Sequence, residues 1–290
     1  MYKDRHDIRE FAKSAGPFSL VEVKSIHGST PRDEGTWMLV GFDNIFRTIG
    51  GGQLEKMAIG EARNLLNAVK PEALEIRIPL GPHIGQCCGG TVNLQISVLD
   101  QVALESRMDL IEKEMRELPK IFIFGAGHVG KALARALSLL PVHPILVDTR
   151  IEEIKSAPEG IEALLTALPE DVVRRAEPGS AFVILTHDHS LDFLIAREAI
   201  SRHDTTYVGM IGSKTKRATF RNWLRRENGS EAGMERLVCP IGNPDIRDKR
   251  PEVIAAMATA EIVGAMHEKA AVGSLENQDL DCKQASGGRG

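Results

Sequence analysis

Apolar runs and helical stripes alternate along the second half of the chain. Lys120 to Phe124 (KIFIF) is a short run of strand formers, and Gly125-Ala126-Gly127-His128-Val129-Gly130 follows at once. The next stretch carries Val129, Leu133, Leu137 and Leu140 at helical spacing. A second run, HPILVD, ends on Asp148. AFVILTHDHS (181–190) then leads into LDFLIAREAI, and TTYVGMIGS (205–213) leads into KTKRATFRNWLRR. Strands alternating with helices of this length predict a parallel sheet covered on both faces, with a ligand crevice at the carboxyl ends of its strands.

The first half reads differently. SLVEVKS and TWMLVGF are strand patterns joined by the turn-rich stretch HGSTPRDEG. QLEKMAIGEARNLLNA places Leu54, Met57, Ala58, Ala62 and Leu65 on a helical stripe. LEIRIPL and TVNLQISVLD alternate as strands around the loop GPHIGQCCGG. LESRMDLIEKEMREL is a further helix, which Pro119 stops. The expectation is α/β overall: an N-terminal α+β domain over 1–117 with a small antiparallel or mixed sheet, then a doubly wound parallel-sheet domain over 118–270. The polar, Gly-rich stretch 271–290 has little to bury and is expected to be a disordered tail.

Composition narrows the function classes. Lys plus Arg number 36 and Asp plus Glu 40, a net charge of −4, so no basic footprint for nucleic acid is evident. Two Trp, two Tyr and nine Phe leave few platforms for stacking bases. No apolar run approaches the ~20 residues that cross a bilayer. The opening MYKDRHDIREFAK lacks the apolar core of a secretory signal. Four cysteines, Cys87, Cys88, Cys239 and Cys282, are too scattered for a disulfide framework. The expectation is a cytoplasmic, reduced protein that binds neither nucleic acid nor membrane.

Several stretches could carry chemistry. Cys87 and Cys88 are adjacent, so their Cα atoms lie ~3.8 Å apart, below the ~4.4 Å floor of ordinary disulfides. They form neither a zinc-type spacing nor a relaxed bridge. What remains is a thiol, or two, in a loop whose glycines admit a ligand, suited to sulfur transfer or a thiophilic metal, or else an inert pair in a turn. Gly50, Gly51 and Gly52 open a helix and would present backbone N–H groups to an anion. Arg32, in the preceding turn Ser29-Thr30-Pro31-Arg32, could add a guanidinium; plain tight turns are the alternative. Gly125, Gly127 and Gly130, with Asp148 eighteen residues on, have the spacing of a Rossmann-like phosphate turn with its ribose-binding acid, unless the glycines serve packing alone. His128 lies inside that turn. Ser213 and Lys214 begin a helix and suit an anionic group, or a solvated helix start. Thr186-His187-Asp188-His189 suits surface histidines better than a metal site, and Cys239 reads as structural.

These stretches together resemble the XdhC/CoxI family, the maturation factors of molybdenum hydroxylases. The resemblance rests on Gly28-Ser29-Thr30-Pro31-Arg32, Ile49-Gly50-Gly51-Gly52-Gln53-Leu54-Glu55 and Gly85-Gln86-Cys87-Cys88-Gly89-Gly90 in the first half. In the second it rests on Phe124 to Gly130, Val147-Asp148, Thr186-His187, Gly209 to Lys214 and Pro240-Ile241-Gly242. It spans roughly residues 12–265, and departs from the family pattern at Asn243-Pro244 and Lys249-Arg250-Pro251-Glu252.

The resemblance implies a Rossmann-like C-terminal domain and a non-enzymatic role. That role is to bind molybdenum cofactor (molybdopterin) as cargo, support its sulfuration by a cysteine desulfurase, and deliver it to apo-xanthine dehydrogenase or a related molybdenum hydroxylase. The family's Cys-Gly-Gly pattern places Cys88 first as the group touching the metal, with Cys87 second. A homo-oligomer is expected, and a nucleotide is a further candidate for the crevice. Two other classes stay open: a nicotinamide-dependent oxidoreductase using the glycine turn and Asp148, and a scaffold with no small ligand.

Overall fold

The computed structural model describes residues 11, 17–81, 89–227, 229–243 and 245–286. The chain forms two compact units, Lys3–Arg116 and Glu117–Gly290.

The first unit is built on β1 (Phe18–His27), β2 (Trp37–Val40), β3 (Ile45–Phe46), α1 (Gly52–Leu66), β4 (Leu74–Pro79), β5 (Thr91–Leu99) and α2 (Gln101–Arg116). The strands lie in the order β3-β2-β1-β5-β4. Every pairing is antiparallel, which settles the sheet type the sequence left open. Alternation along the strands sends side chains to opposite faces. Val21, Val23, Met38 and Val40 pack with Leu54, Ala58 and Ala62 of α1. Leu20, Trp37 and Leu39 pack with Leu104 and Ile111 of α2 on the other face. Met57 of the predicted stripe is instead exposed. The buried Ser19 hydroxyl donates to the Ala62 carbonyl at 3.0 Å, so the polar group under α1 is satisfied.

The second unit contains β6 (Lys120–Phe124), α3 (His128–Leu137), β7 (His143–Asp148), α4 (Ile151–Lys155), β8 (Glu162–Leu165) and α5 (Pro169–Arg175). It continues with β9 (Ala181–Ile184), α6 (His189–Ser201), β10 (Tyr207–Met210), α7 (Lys214–Arg226), β11 (Leu237–Val238) and α8 (Pro251–Ser286). The sheet order is β8-β7-β6-β9-β10-β11, all parallel. Counted within the unit this is 3-2-1-4-5-6, the order of a Rossmann fold, whose switch point falls between β6 and β9. Phe122 and Phe124 face Val173, Phe193 and Phe220 of α5, α6 and α7. Ile121 and Ile123 face Leu133 and Leu137 of α3 and Ala258 and Ile262 of α8.

The sequence pattern misses β8 and β11, which are four and two residues long. It also differs at the C-terminus: α8 is helical backbone through Ser286, across 271–286, where a disordered tail was expected. No proline follows Pro251 to stop the helix. Among the described residues, no helix is long and apolar enough to cross a membrane.

Candidate functional site

In the first unit three loops meet. Ser29 forms a parallel bridge with Gly89. A Cβ on Gly90 would lie 2.3 Å from the Ser29 carbonyl oxygen and 2.7 Å from that of His27, so only glycine allows the two chains this close. On the other side of the same turn, a Cβ on Gly50 would come within 2.8 Å of the Pro31 ring. The loop that carries Cys87 and Cys88 is closed at its base by Gly89 N–H donating to Leu80 O (2.9 Å) and Leu80 N–H donating to Gly90 O (2.7 Å). Cys87 and Cys88 themselves lie outside the described residues. The residue next to Cys88 is thus pinned to the turn that carries Arg32. Arg32 is exposed and makes no ion pair among the described residues.

At the glycine-rich start of α1, part of the backbone is satisfied within the chain while the N-cap, Gly51, makes no side-chain cap to the helix. Gly50, Gly51 and Gly52 all have positive φ, at 133°, 78° and 64°. Two amides of this stretch, those of Ile49 and Gly51, are taken by Glu55. Its Oε2 accepts from Ile49 N (3.2 Å), from Gly51 N (3.3 Å) and from the Thr48 hydroxyl. Gly50 N–H donates to Thr48 Oγ1 at 3.1 Å. Glu55 thus supplies a carboxylate to the loop that leads into α1, which is favourable near a helix N-terminus. Glu55 ends the Ile49–Glu55 stretch, in which the sequence alone assigns it no contact. Its place in the first turn of α1 was the available signal.

In the second unit, a crevice opens at the carboxyl ends of β6, β7 and β9. Gly125, Asp148, Thr149, Pro169, Thr186 and His187 are among its lining residues. Gly125 has φ 117°, and a Cβ there would lie 2.3 Å from Leu185 O. Gly127 is different. Its φ of −75° suits any residue, and a Cβ there would meet nothing within 4 Å. The turn therefore has one face the protein does not fill. His128, the first residue of α3, is exposed, as is His187.

Asp148 closes β7 and is buried. Its carboxylate accepts the Ala126 amide of the glycine turn at 2.8 Å, and the Arg150 guanidinium forks onto it. Burial pushes the Asp148 carboxyl up, but these donors outweigh it and hold the group below its ordinary value. Arg150 was not singled out from sequence; its two-residue spacing from Asp148 was the only signal.

Behind the crevice, Thr186 donates both its N–H (3.0 Å) and its hydroxyl (2.7 Å) to Asp192, which is 1% exposed. The Lys216 ammonium donates to the other Asp192 oxygen and to Ile211 O at 2.9 Å. A Cβ on Gly212 would lie 2.6 Å from Lys216 Cδ, so that glycine makes room for the lysine stem. Ser213 caps α7 by accepting from Lys216 N at 3.2 Å, while Lys214 is exposed beside it. Asp188 caps α6, accepting from Ser190 N at 2.7 Å. Among the described residues, no group of three or more His, Cys, Asp or Glu is placed to hold a metal ion. Cys239 is buried, and burial pushes its thiol up despite nearby Lys216 and Arg217. It is a structural thiol rather than a reactive one.

Residues 121–262 match the model of the XdhC Rossmann domain, and residues 12–77 match that of the XdhC and CoxI family. The uncharacterized protein YqeB of Escherichia coli (strain K12) is 27% identical over 255 residues, covering 85% of this chain and 43% of YqeB. The chain thus spans less than half the length of that curated relative. A crystal structure described as a xanthine dehydrogenase from Bacillus halodurans shares the fold at a TM-score of 0.74 and 18% identity, over 91% of this chain and 96% of that one. With both of its units matched in order, the chain belongs to the XdhC and CoxI family.

Proposed function

We propose that the protein is an accessory factor for xanthine dehydrogenase or a related molybdenum hydroxylase. In this reading it binds the molybdenum cofactor, supports its sulfuration by a cysteine desulfurase, and delivers it to the apo-enzyme without catalysing a reaction of its own. Family membership supports the accessory role. The observation that carries the finer reading is the Ser29–Gly89 bridge, which fixes the end of the Cys87-Cys88 loop against the turn bearing Arg32. A thiolate suits the molybdenum or its exchangeable sulfur, and a guanidinium suits the pterin's phosphate. Arg32, exposed and without an ion pair among the described residues, is a cation these loops can offer an anion, while Glu55 already engages the amides of Ile49 and Gly51.

A nicotinamide-dependent oxidoreductase is the second reading, and the 3-2-1-4-5-6 strand order favours it. One experiment separates the two. The full chain is incubated with molybdenum cofactor, and separately with NAD(H), then gel-filtered and assayed for pterin, molybdenum and nucleotide. The accessory reading expects pterin and molybdenum to co-elute, with Cys88→Ala losing most of both and Cys239→Ala keeping them. Equal retention by the two variants rules out the thiol role, and retention of nucleotide alone supports the oxidoreductase.

A further inference from the structure

In a doubly wound fold, the acid that ends the second strand reads a nucleotide by accepting hydrogen bonds from the ribose diol. Here that acid is Asp148, and its oxygens are already engaged twice each. Oδ1 accepts from Arg150 N (2.9 Å) and Arg150 Nε (3.0 Å). Oδ2 accepts from Ala126 N (2.8 Å) and Arg150 Nη2 (2.8 Å). A carboxylate offers about four acceptor positions, so none is left for a hydroxyl. The pair is also held from outside. Arg150 Nη1 lies 3.5 Å from Glu153, and Glu153 in turn accepts from Lys131 Nζ at 2.7 Å.

A diol entering the crevice would have to displace the guanidinium. It would trade charge-assisted, bidentate bonds for neutral ones about half as strong. Arg150 itself is 37% exposed at the side chain whereas Asp148 is 3% exposed. The guanidinium is therefore the more solvent-exposed partner of a nearly enclosed carboxylate.

We infer that Arg150 is a specificity-determining residue of the crevice, which closes Asp148 to ribose and so excludes ligands recognised through a vicinal diol. Gly127 still leaves the turn open above it, so the exclusion falls on the ribose end and not on the turn. The inference is independent of the cargo held by the first unit, and it survives or fails without reference to molybdenum.

The test is calorimetric titration of NAD⁺ and NADP⁺ into the full chain, as wild type, Arg150→Ala, Arg150→Lys, and Arg150→Ala combined with Asp148→Asn. Arg150→Ala frees two acceptor positions for a diol and is expected to bind NAD⁺ at least about tenfold more tightly than wild type. Arg150→Lys, which can refill only one of them, should fall between. Adding Asp148→Asn should abolish the gain, because the freed carboxylate is what binds. A gain of affinity cannot come from a folding defect, and Arg150→Lys keeps a cation beside the buried Asp148 carboxylate should Arg150→Ala lose stability. Equal or weaker NAD⁺ binding by Arg150→Ala overturns the inference, as does no binding by any form. Tight wild-type binding of NADP⁺ that Arg150→Ala destroys overturns it too, since Arg150 would then be a ligand for the 2′-phosphate.

Discussion

A methyl group at residue 130 would sit 1.9 Å from the carbonyl oxygen of Gly125. These two glycines are the contact by which α3 packs down on the end of β6. Gly127, midway between them, has open space beside it. The three glycines of one motif thus do two different jobs, two for packing and one for access.

Gly130→Ala is accordingly expected to destabilise the protein by about 3 kcal/mol, an overpacking cost with backbone on the other side. Gly127→Ala, at a φ any residue adopts, should stay within about 1 kcal/mol of wild type. Urea unfolding followed by circular dichroism checks both. Gly127→Val should fold as well, yet block close approach of a phosphate to the turn. A Val variant that retains every ligand of the wild type would make the turn a packing device.

Glu55 is expected to hold the Thr48–Gly51 loop. Glu55→Ala leaves the amides of Ile49 and Gly51 without their acceptor, at a cost of about 1–3 kcal/mol. Amide hydrogen exchange gives the local readout: protection at Ile49 and Gly51 should fall while that in β6–β10 is unchanged. Unchanged exchange at both amides would mean that the loop keeps its form by other means.

The Asp192–Lys216 pair is buried enough for one partner to be costly without the other. Lys216→Met strands the Asp192 charge and should cost about 3–5 kcal/mol, whereas Lys216→Met with Asp192→Asn should recover part of that loss. A double-mutant cycle measures the coupling. Additive single costs would reduce the pair to ordinary polarity at the end of β9.

Asp148 gives stability a defined acid limb. Its folded pKa lies below the ordinary 3.8, so its contribution is fully present above that value and is lost as pH falls through the lowered folded pKa. The stability gap between wild type and Asp148→Asn should therefore be flat from neutral pH down to about 5 and close below about 4. A gap that narrows instead between pH 6 and 8 would point to a different group.

Much of this architecture is legible in the sequence, because long periodic elements announce themselves. The runs at 120–124, 143–148, 181–184 and 207–210 and the stripe of α1 all fall on observed elements. β8 and β11 escape because four exposed or half-exposed residues, and then two, carry no period. The sites are less legible than the fold. Glycines at 50–52 suggest backbone amides presented to an anion, but not that Glu55 accepts from Ile49 and Gly51, since a carboxylate in a first helical turn is equally at home facing solvent. Asp148 falls at the position the turn predicts, while the donors that fill it come from Arg150 and from Ala126, contacts set by tertiary packing rather than by period. Gly85 to Cys88, on which the cargo reading leans, lies outside the described residues.

The central claim is delivery without turnover, and transfer tests it most directly. The full chain loaded with molybdenum cofactor is mixed with an apo-molybdenum hydroxylase, and substrate oxidation is followed against the same amount of free cofactor, with the chain alone given NAD(H) and purine as the control. The account predicts that activity appears faster and to a higher level with the loaded chain than with free cofactor, and that the chain alone shows no hydride transfer. Activation no better than free cofactor, or hydride transfer by the chain alone above about 1 s⁻¹, would contradict it.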